Sequence, residues 1–121
     1  MGKRILAVDD QEDNRQILRD RLTAAGYEIT EAVDGEQAVQ IAEAMVPDLI
    51  LMDIQLPGID GYEATRRIKA NPLLKAIPVI AVTSYALSGD DEKAFEAGCD
   101  AYIPKPYSPR ALLAKIREYI G

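Results

Sequence analysis

Short apolar runs alternate with longer stretches of helical period along the chain. The runs read as strands over Arg4 to Val8, Tyr27 to Ala32, Asp48 to Met52, Pro78 to Val82 and Ala101 to Ile103. Alternation of this kind argues for βαβ units around a parallel sheet. Three of the runs contain ILAV, LILM and VIAV, apolar at every position, as expected of strands covered by helices on both faces. The second run alternates through Tyr27, Glu28, Ile29, Thr30 and Glu31, and the fifth is short. Both are therefore expected at sheet edges. A five-stranded parallel sheet in the order 2-1-3-4-5 satisfies that requirement and makes residues 1–121 one doubly wound α/β domain.

Ordinary capping chemistry accounts for many of the polar residues between the strands. Asp34, Asp60 and Ser88 stand where helix N-caps are wanted, with Glu63 and Asp91 at capping-box spacing after the last two. Gly26 and Gly98 stand where a left-handed C-cap is wanted. Ile17, Leu18, Leu22 and Ala25 form an apolar stripe on helix 1, as do Leu112, Leu113, Ile116 and Ile120 on helix 5, and both stripes are expected in the core. No repeat, low-complexity tract or linker interrupts the chain.

At 121 residues and 48% hydrophobic content, the chain suits a single core. Its 14 Lys and Arg against 20 Asp and Glu leave a net charge of −6, which repels phosphate backbones and anionic headgroups and argues against nucleic acid or membrane as partner. Cys99 is the single cysteine and can form no internal disulfide, which fits a reducing cytoplasm. The apolar stretch after Lys3-Arg4 is too short for a signal peptide and ends in two aspartates.

The candidate chemistry lies at the strand ends. Strand 1 runs into Asp9 and Asp10, strand 3 into Asp53 and strand 4 into Thr83, while Lys105 follows strand 5. Parallel strands bring their carboxyl ends to one edge, and strands 1 and 3 meet at the topological switch point, where open α/β sheets bind ligands. Taken singly, each residue has a plainer explanation: the aspartates as caps, Thr83 as a hydroxyl bonding its own backbone, Lys105 as a solvated surface lysine. Their joint occurrence is what points to a site. Three carboxylates in one crevice resist joint ionisation unless a cation intervenes. Oxygen-only donors in a chain without His favour Mg²⁺, or Mn²⁺ in its place.

From ILAVDD through LILMDIQLPGIDG and VIAVTSYA to AGCDAYIPKP, the whole chain resembles the response-regulator receiver family of the CheY-like superfamily, with its flavodoxin-like (βα)5 fold. The strand order given above is the one known for that fold, so it is matched to the fold rather than derived from the pattern. The resemblance implies that Asp53 is the phosphoacceptor, that Asp10, Asp53 and the Gln55 main-chain carbonyl bind Mg²⁺ directly, and that Asp9 helps through water. It implies Thr83 and Lys105 as the pair that senses the phosphoryl group, a switching aromatic at Tyr102, a lysine aimed by Pro106, and a loop shaped by Pro57 and Gly58. Ser84 stands where Ala is usual, and Gln55 is the second departure from the commonest pattern. The segments LILMDIQLPGIDG and GDDEKAFEAGCDAYIPKP look closest to stand-alone receivers of the DivK type, and receivers cut from hybrid histidine kinases look similar.

By the same resemblance the donor is a phosphohistidine on a histidine kinase or histidine phosphotransfer protein, received at a helix 1 face that includes Asn14, Arg15 and Leu18. A downstream protein is reached through the strand 5/helix 5 face. Gln55 and Tyr85 flank the path of the water that hydrolyses the acyl phosphate, and the bulk of Tyr85 predicts a long lifetime. Two rivals fit less well. An aspartate-nucleophile phosphatase of the haloacid dehalogenase type has a D-x-D motif where this chain has Asp9-Asp10-Gln11. A flavodoxin-like electron carrier would need hydroxyls and backbone amides for the flavin phosphate in place of an acidic crevice.

Overall fold

In the computed structural model, which describes residues 2–83, 90–105 and 108–121, five strands alternate with five helices. They are β1 (Arg4–Val8), α1 (Glu12–Ala24), β2 (Glu28–Ala32), α2 (Gly35–Met45), β3 (Leu49–Asp53), α3 (Gly61–Ala70), β4 (Val79–Thr83), α4 (Asp90–Ala97), β5 (Ala101–Pro104) and α5 (Pro109–Ile120). All four pairings are parallel and the order is β2-β1-β3-β4-β5, with the two expected edge strands at the edges.

The period of two along each interior strand divides the core. Leu6, Val8, Ile50, Met52, Val79 and Ala81 pack on one face with Ala38, Ala42, Ala64, Ile68 and Ala94 of α2, α3 and α4. Ile5, Ala7, Leu49, Leu51 and Ile80 pack on the other with Leu18, Leu22, Leu112 and Ile116 of α1 and α5. Both faces are thus dry, which is why the interior strands are apolar throughout Ile5–Val8, Leu49–Met52 and Val79–Val82. Burying each large aliphatic side chain of this core contributes about 1.5–3 kcal/mol.

Several expected boundaries shift. β3 and β4 run one residue further than the apolar runs, because Asp53 pairs with Val82 and Thr83 with Pro104. Asp53 and Thr83 are therefore the last rungs of the sheet, held by the ladder. β2 starts at Glu28, while Tyr27 is buried beneath α1, its N–H donating to the Leu22 carbonyl at 3.0 Å. Ile17, expected in the core, is 53% exposed: α1 buries only the i, i+4 pair Leu18 and Leu22, a stripe too narrow to include it.

The caps are largely as expected. Asp34 accepts from the Gln37 N–H and Asp60 from the Glu63 N–H, and Gly26 and Gly98 take φ of 96° and 109°. The Glu63 carboxylate pairs with Arg66 and Arg67. Ser88 lies outside the described residues. α2 ends on Val46, a β-branched residue at φ 46°, with Pro47 preventing further helix.

Candidate functional site

Because all five strands are parallel, their carboxyl ends form one edge, and the side chains gathered there are Asp9, Asp10, Asp53, Thr83 and Lys105. Asp9 follows β1, with its N–H donating to the Ala32 carbonyl of β2 at 3.1 Å. One of its carboxylate oxygens, Oδ1, accepts from the Gln11 N–H at 2.9 Å, and Oδ2 accepts from Lys105 Nζ at 3.1 Å. Asp53 repeats this arrangement: Oδ1 accepts from the Gln55 N–H at 2.9 Å and Oδ2 from Lys105 Nζ at 3.1 Å. The Lys105 main-chain N–H in turn donates to the Thr83 carbonyl at 2.6 Å, so the lysine is anchored to the end of β4 and its ammonium reaches across to β1 and β3.

Asp9, Asp53 and Thr83 are buried, at 2%, 5% and 2% exposure, whereas Asp10 is exposed and forms the mouth of the site. Burial pushes the Asp53 carboxyl above the ordinary carboxylate range, and the Asp9 charge adds to the push. The Gln55 N–H and Lys105 oppose it without cancelling it. At Lys105 burial works against the ammonium, yet the Asp53 and Asp9 carboxylates outweigh it and hold its pKa above the usual lysine value. The lysine is thus a fixed positive charge, and the carboxylates exceed what it can neutralise.

Oxygen atoms of Asp9, Asp10 and Asp53 all lie within 4.8 Å of one another. Carboxylate oxygens at this spacing, two buried and one facing solvent, fit a hard divalent cation that keeps part of its hydration. The main chain is shaped to match. Gly61 opens α3 against the Asp53 and Ile54 backbone, where a Cβ would come within 2.7 Å of the Ile54 Cα. Its N–H donates to the Ile54 carbonyl at 2.9 Å.

Of the residues expected at the site, Gln55 is half-buried and bonded to Asp53 through its N–H. Pro57 and Gly58 lie exposed in the loop after β3, Gly58 at φ 75°. Tyr102, half-buried, packs against the core face shared by α2, α3 and α4. Ser84, Tyr85 and Pro106 lie outside the described residues. On α1 the expected docking face needs correction, since Leu18 is buried in the core and the Arg15 side chain is only 11% exposed. Arg15 is engaged inward, donating through Nη1 to the Asp9 carbonyl at 2.9 Å. Neither this contact nor the close approach at Gly61 was foreseen. The only signals for them are an arginine one helical turn into α1 and a glycine directly after an N-cap, both ordinary in themselves.

Comparison with known proteins agrees with this geometry. Residues 5–117 match the family model described as the response regulator receiver domain. The chain is 44% identical over 121 residues to the polar-differentiation response regulator DivK of Brucella anthropi, covering 100% of this chain and 98% of that protein. Its fold superposes with a TM-score of 0.93 on the receiver domain of a sensor histidine kinase from Pseudomonas aeruginosa, at 40% identity and covering 100% and 99% of the two chains. That structure has a magnesium ion coordinated in its active site cleft. A chemotaxis response regulator of Vibrio cholerae gives a TM-score of 0.93 at 27% identity, covering 99% of this chain and all of that one. With a family match over most of its length and a relative of this identity over all of it, the chain belongs to the response regulator receiver domain family of two-component signalling.

Proposed function

We propose that residues 1–121 form a single receiver domain that accepts a phosphoryl group on Asp53 from a phosphohistidine of a histidine kinase or histidine phosphotransfer protein. The observation that carries this reading is the position of Asp53. It is a buried carboxylate on the last rung of β3, grouped with Asp9 and Asp10 and held 3.1 Å from the Lys105 ammonium. An Asp53 oxygen attacks phosphorus, the new O–P bond forms as the P–N bond to the donor imidazole breaks, and the imidazole leaves with the electron pair. Water later attacks the acyl phosphate, releasing inorganic phosphate and restoring the carboxylate. The domain thereby promotes its own phosphorylation and dephosphorylation without turning over a separate substrate.

Asp10, Asp53 and the Gln55 main-chain carbonyl would hold Mg²⁺, or Mn²⁺, directly and Asp9 through water, supplying neutralisation of the carboxylates and of the incoming phosphoryl charge. Lys105 moves its ammonium from the carboxylates to a phosphoryl oxygen, and the Thr83 hydroxyl bonds another. Pro57 and Gly58 shape the loop beside the acceptor, and Pro106 aims the lysine. The half-buried Tyr102, which pairs with Ala81 in the β4/β5 ladder two rungs before Thr83, turns inward as Thr83 moves. A downstream protein reads that change at the β5/α5 face, a two-state equilibrium biased by one new anion. The acidic chain works in the cytoplasm by protein contact, away from nucleic acid and membrane; among the described residues no helix is long and apolar enough to cross a membrane.

The test is incubation with acetyl phosphate and Mg²⁺ followed by mass spectrometry. One phosphoryl group should appear, on Asp53, and Asp53→Asn should remove it. Labelling of that variant at the wild-type rate would overturn the reading.

A further inference from the structure

Asp10 is the carboxylate the fold leaves unheld. Asp9 and Asp53 each accept from a main-chain N–H and from Lys105, whereas the exposed Asp10 carboxylate makes no hydrogen bond or ion pair to any described residue. Its direction therefore follows from the peptide plane that joins it to Asp9. The carbonyl of that plane is gripped by Arg15, whose Nη1 donates to the Asp9 oxygen at 2.9 Å. Arg15 is itself held on its other two donor groups. Nε donates to Glu31 Oε1 at 3.2 Å, and Nη2 pairs with Glu12. A planar fork with donors in three fixed directions is something a lysine cannot reproduce.

We propose that Arg15 is a positioning residue of the acidic site: through the Asp9 carbonyl it sets the aim of the Asp10 carboxylate, with Glu31 of edge strand β2 holding the guanidinium in place. This rests on the reading of Asp9, Asp10 and Asp53 as a cation site. A purely electrostatic role has the opposite sign, since a positive charge beside a cation site repels the cation and its removal should tighten binding. Arg19 supplies the comparison. One turn further along α1, it pairs with the same Glu31, Nε to Oε2 at 2.7 Å, and with Glu12, and makes no hydrogen bond to Asp9.

The experiment uses the full chain and its Arg15→Met, Arg15→Lys and Arg19→Met variants. MgCl₂ is titrated without any phosphoryl donor, followed by the fluorescence of the chain's 6 Tyr, since it has no Trp. Amide hydrogen exchange at Gln11, whose N–H is bonded to Asp9, is measured on the metal-free proteins. Both Arg15 variants should raise the Mg²⁺ Kd by about tenfold, the range seen when groups that orient metal ligands are removed. They should also speed Gln11 exchange, and Arg19→Met should do neither. Arg15→Met binding as tightly as wild type or tighter, with Gln11 exchange unchanged, overturns the proposal. Failure of the wild type to bind Mg²⁺ removes the cation site itself, and Gln11 exchange then still decides whether Arg15 holds this backbone.

Discussion

Gly61 lies against the main chain of Asp53 so closely that a Cβ at Gly61 would overlap the Asp53 carbonyl oxygen. Its φ is not in the left-handed region, so the requirement is for space and not for a conformation that only glycine adopts. Gly61→Ala should force the start of α3 away from the end of β3, costing about 1–3 kcal/mol as an overpacked contact does, and should slow phosphorylation by acetyl phosphate. Denaturant unfolding and the labelling rate measure the two effects. Wild-type values in both would mean that the backbone relaxes freely there.

Lys105→Ala removes the ammonium that bridges Asp9 and Asp53. The cation site then loses a competing positive charge, so Mg²⁺ should bind at least as tightly as in wild type. Phosphorylation should continue slowly but lose its effect on β5 and α5. Amide shifts around Tyr102 that respond normally to phosphorylation in this variant would remove the lysine from the switch.

Glu31 carries a pH dependence of known sign. Its hydrogen bond from Arg19 holds its carboxyl below the ordinary value of 4.5, with Arg15 contributing in the same direction against some desolvation. A depressed carboxyl stabilises the fold above its unfolded value and loses that contribution as pH falls through the folded one. Glu31→Gln should be modestly less stable than wild type at pH 7, since the pair is partly solvated, and the gap should close as the pH drops below 4.5. Parallel stability curves from pH 7 to pH 3 would show that the pair contributes nothing.

The lifetime of the acyl phosphate is a further expectation, resting on the family resemblance, which implies that Gln55 and Tyr85 flank the attacking water. Tyr85→Glu should speed decay, because a carboxylate assists water where a ring obstructs it. After phosphorylation and removal of the donor, equal decay of the two proteins would take Tyr85 out of the hydrolysis step.

Alternation of apolar runs and helical stretches was enough to set five parallel strands, and the resemblance of the whole chain to known receivers supplied their order and the roles expected of the residues at their ends. Both are legible because periodicity and capping are local: Asp34 and Asp60 cap where the pattern places them, and parallel strands must deliver Asp9, Asp53 and Thr83 to one edge. The tertiary structure decided what depends on how surfaces meet. Ile17 and Leu18 are neighbours with the same apolar character, yet the rotation of α1 on the sheet buries one and exposes the other. Arg15 is one of many surface-type cations until β2 brings Glu31 beside it and β1 ends in a carbonyl within its reach. Gly61 reads as a residue after a cap, and only the approach of α3 to β3 makes its missing side chain a condition for the site. Periodicity specifies which face of an element is apolar; contacts between residues such as Lys105 and Asp9, 96 positions apart, exist only once the whole sheet has closed around them.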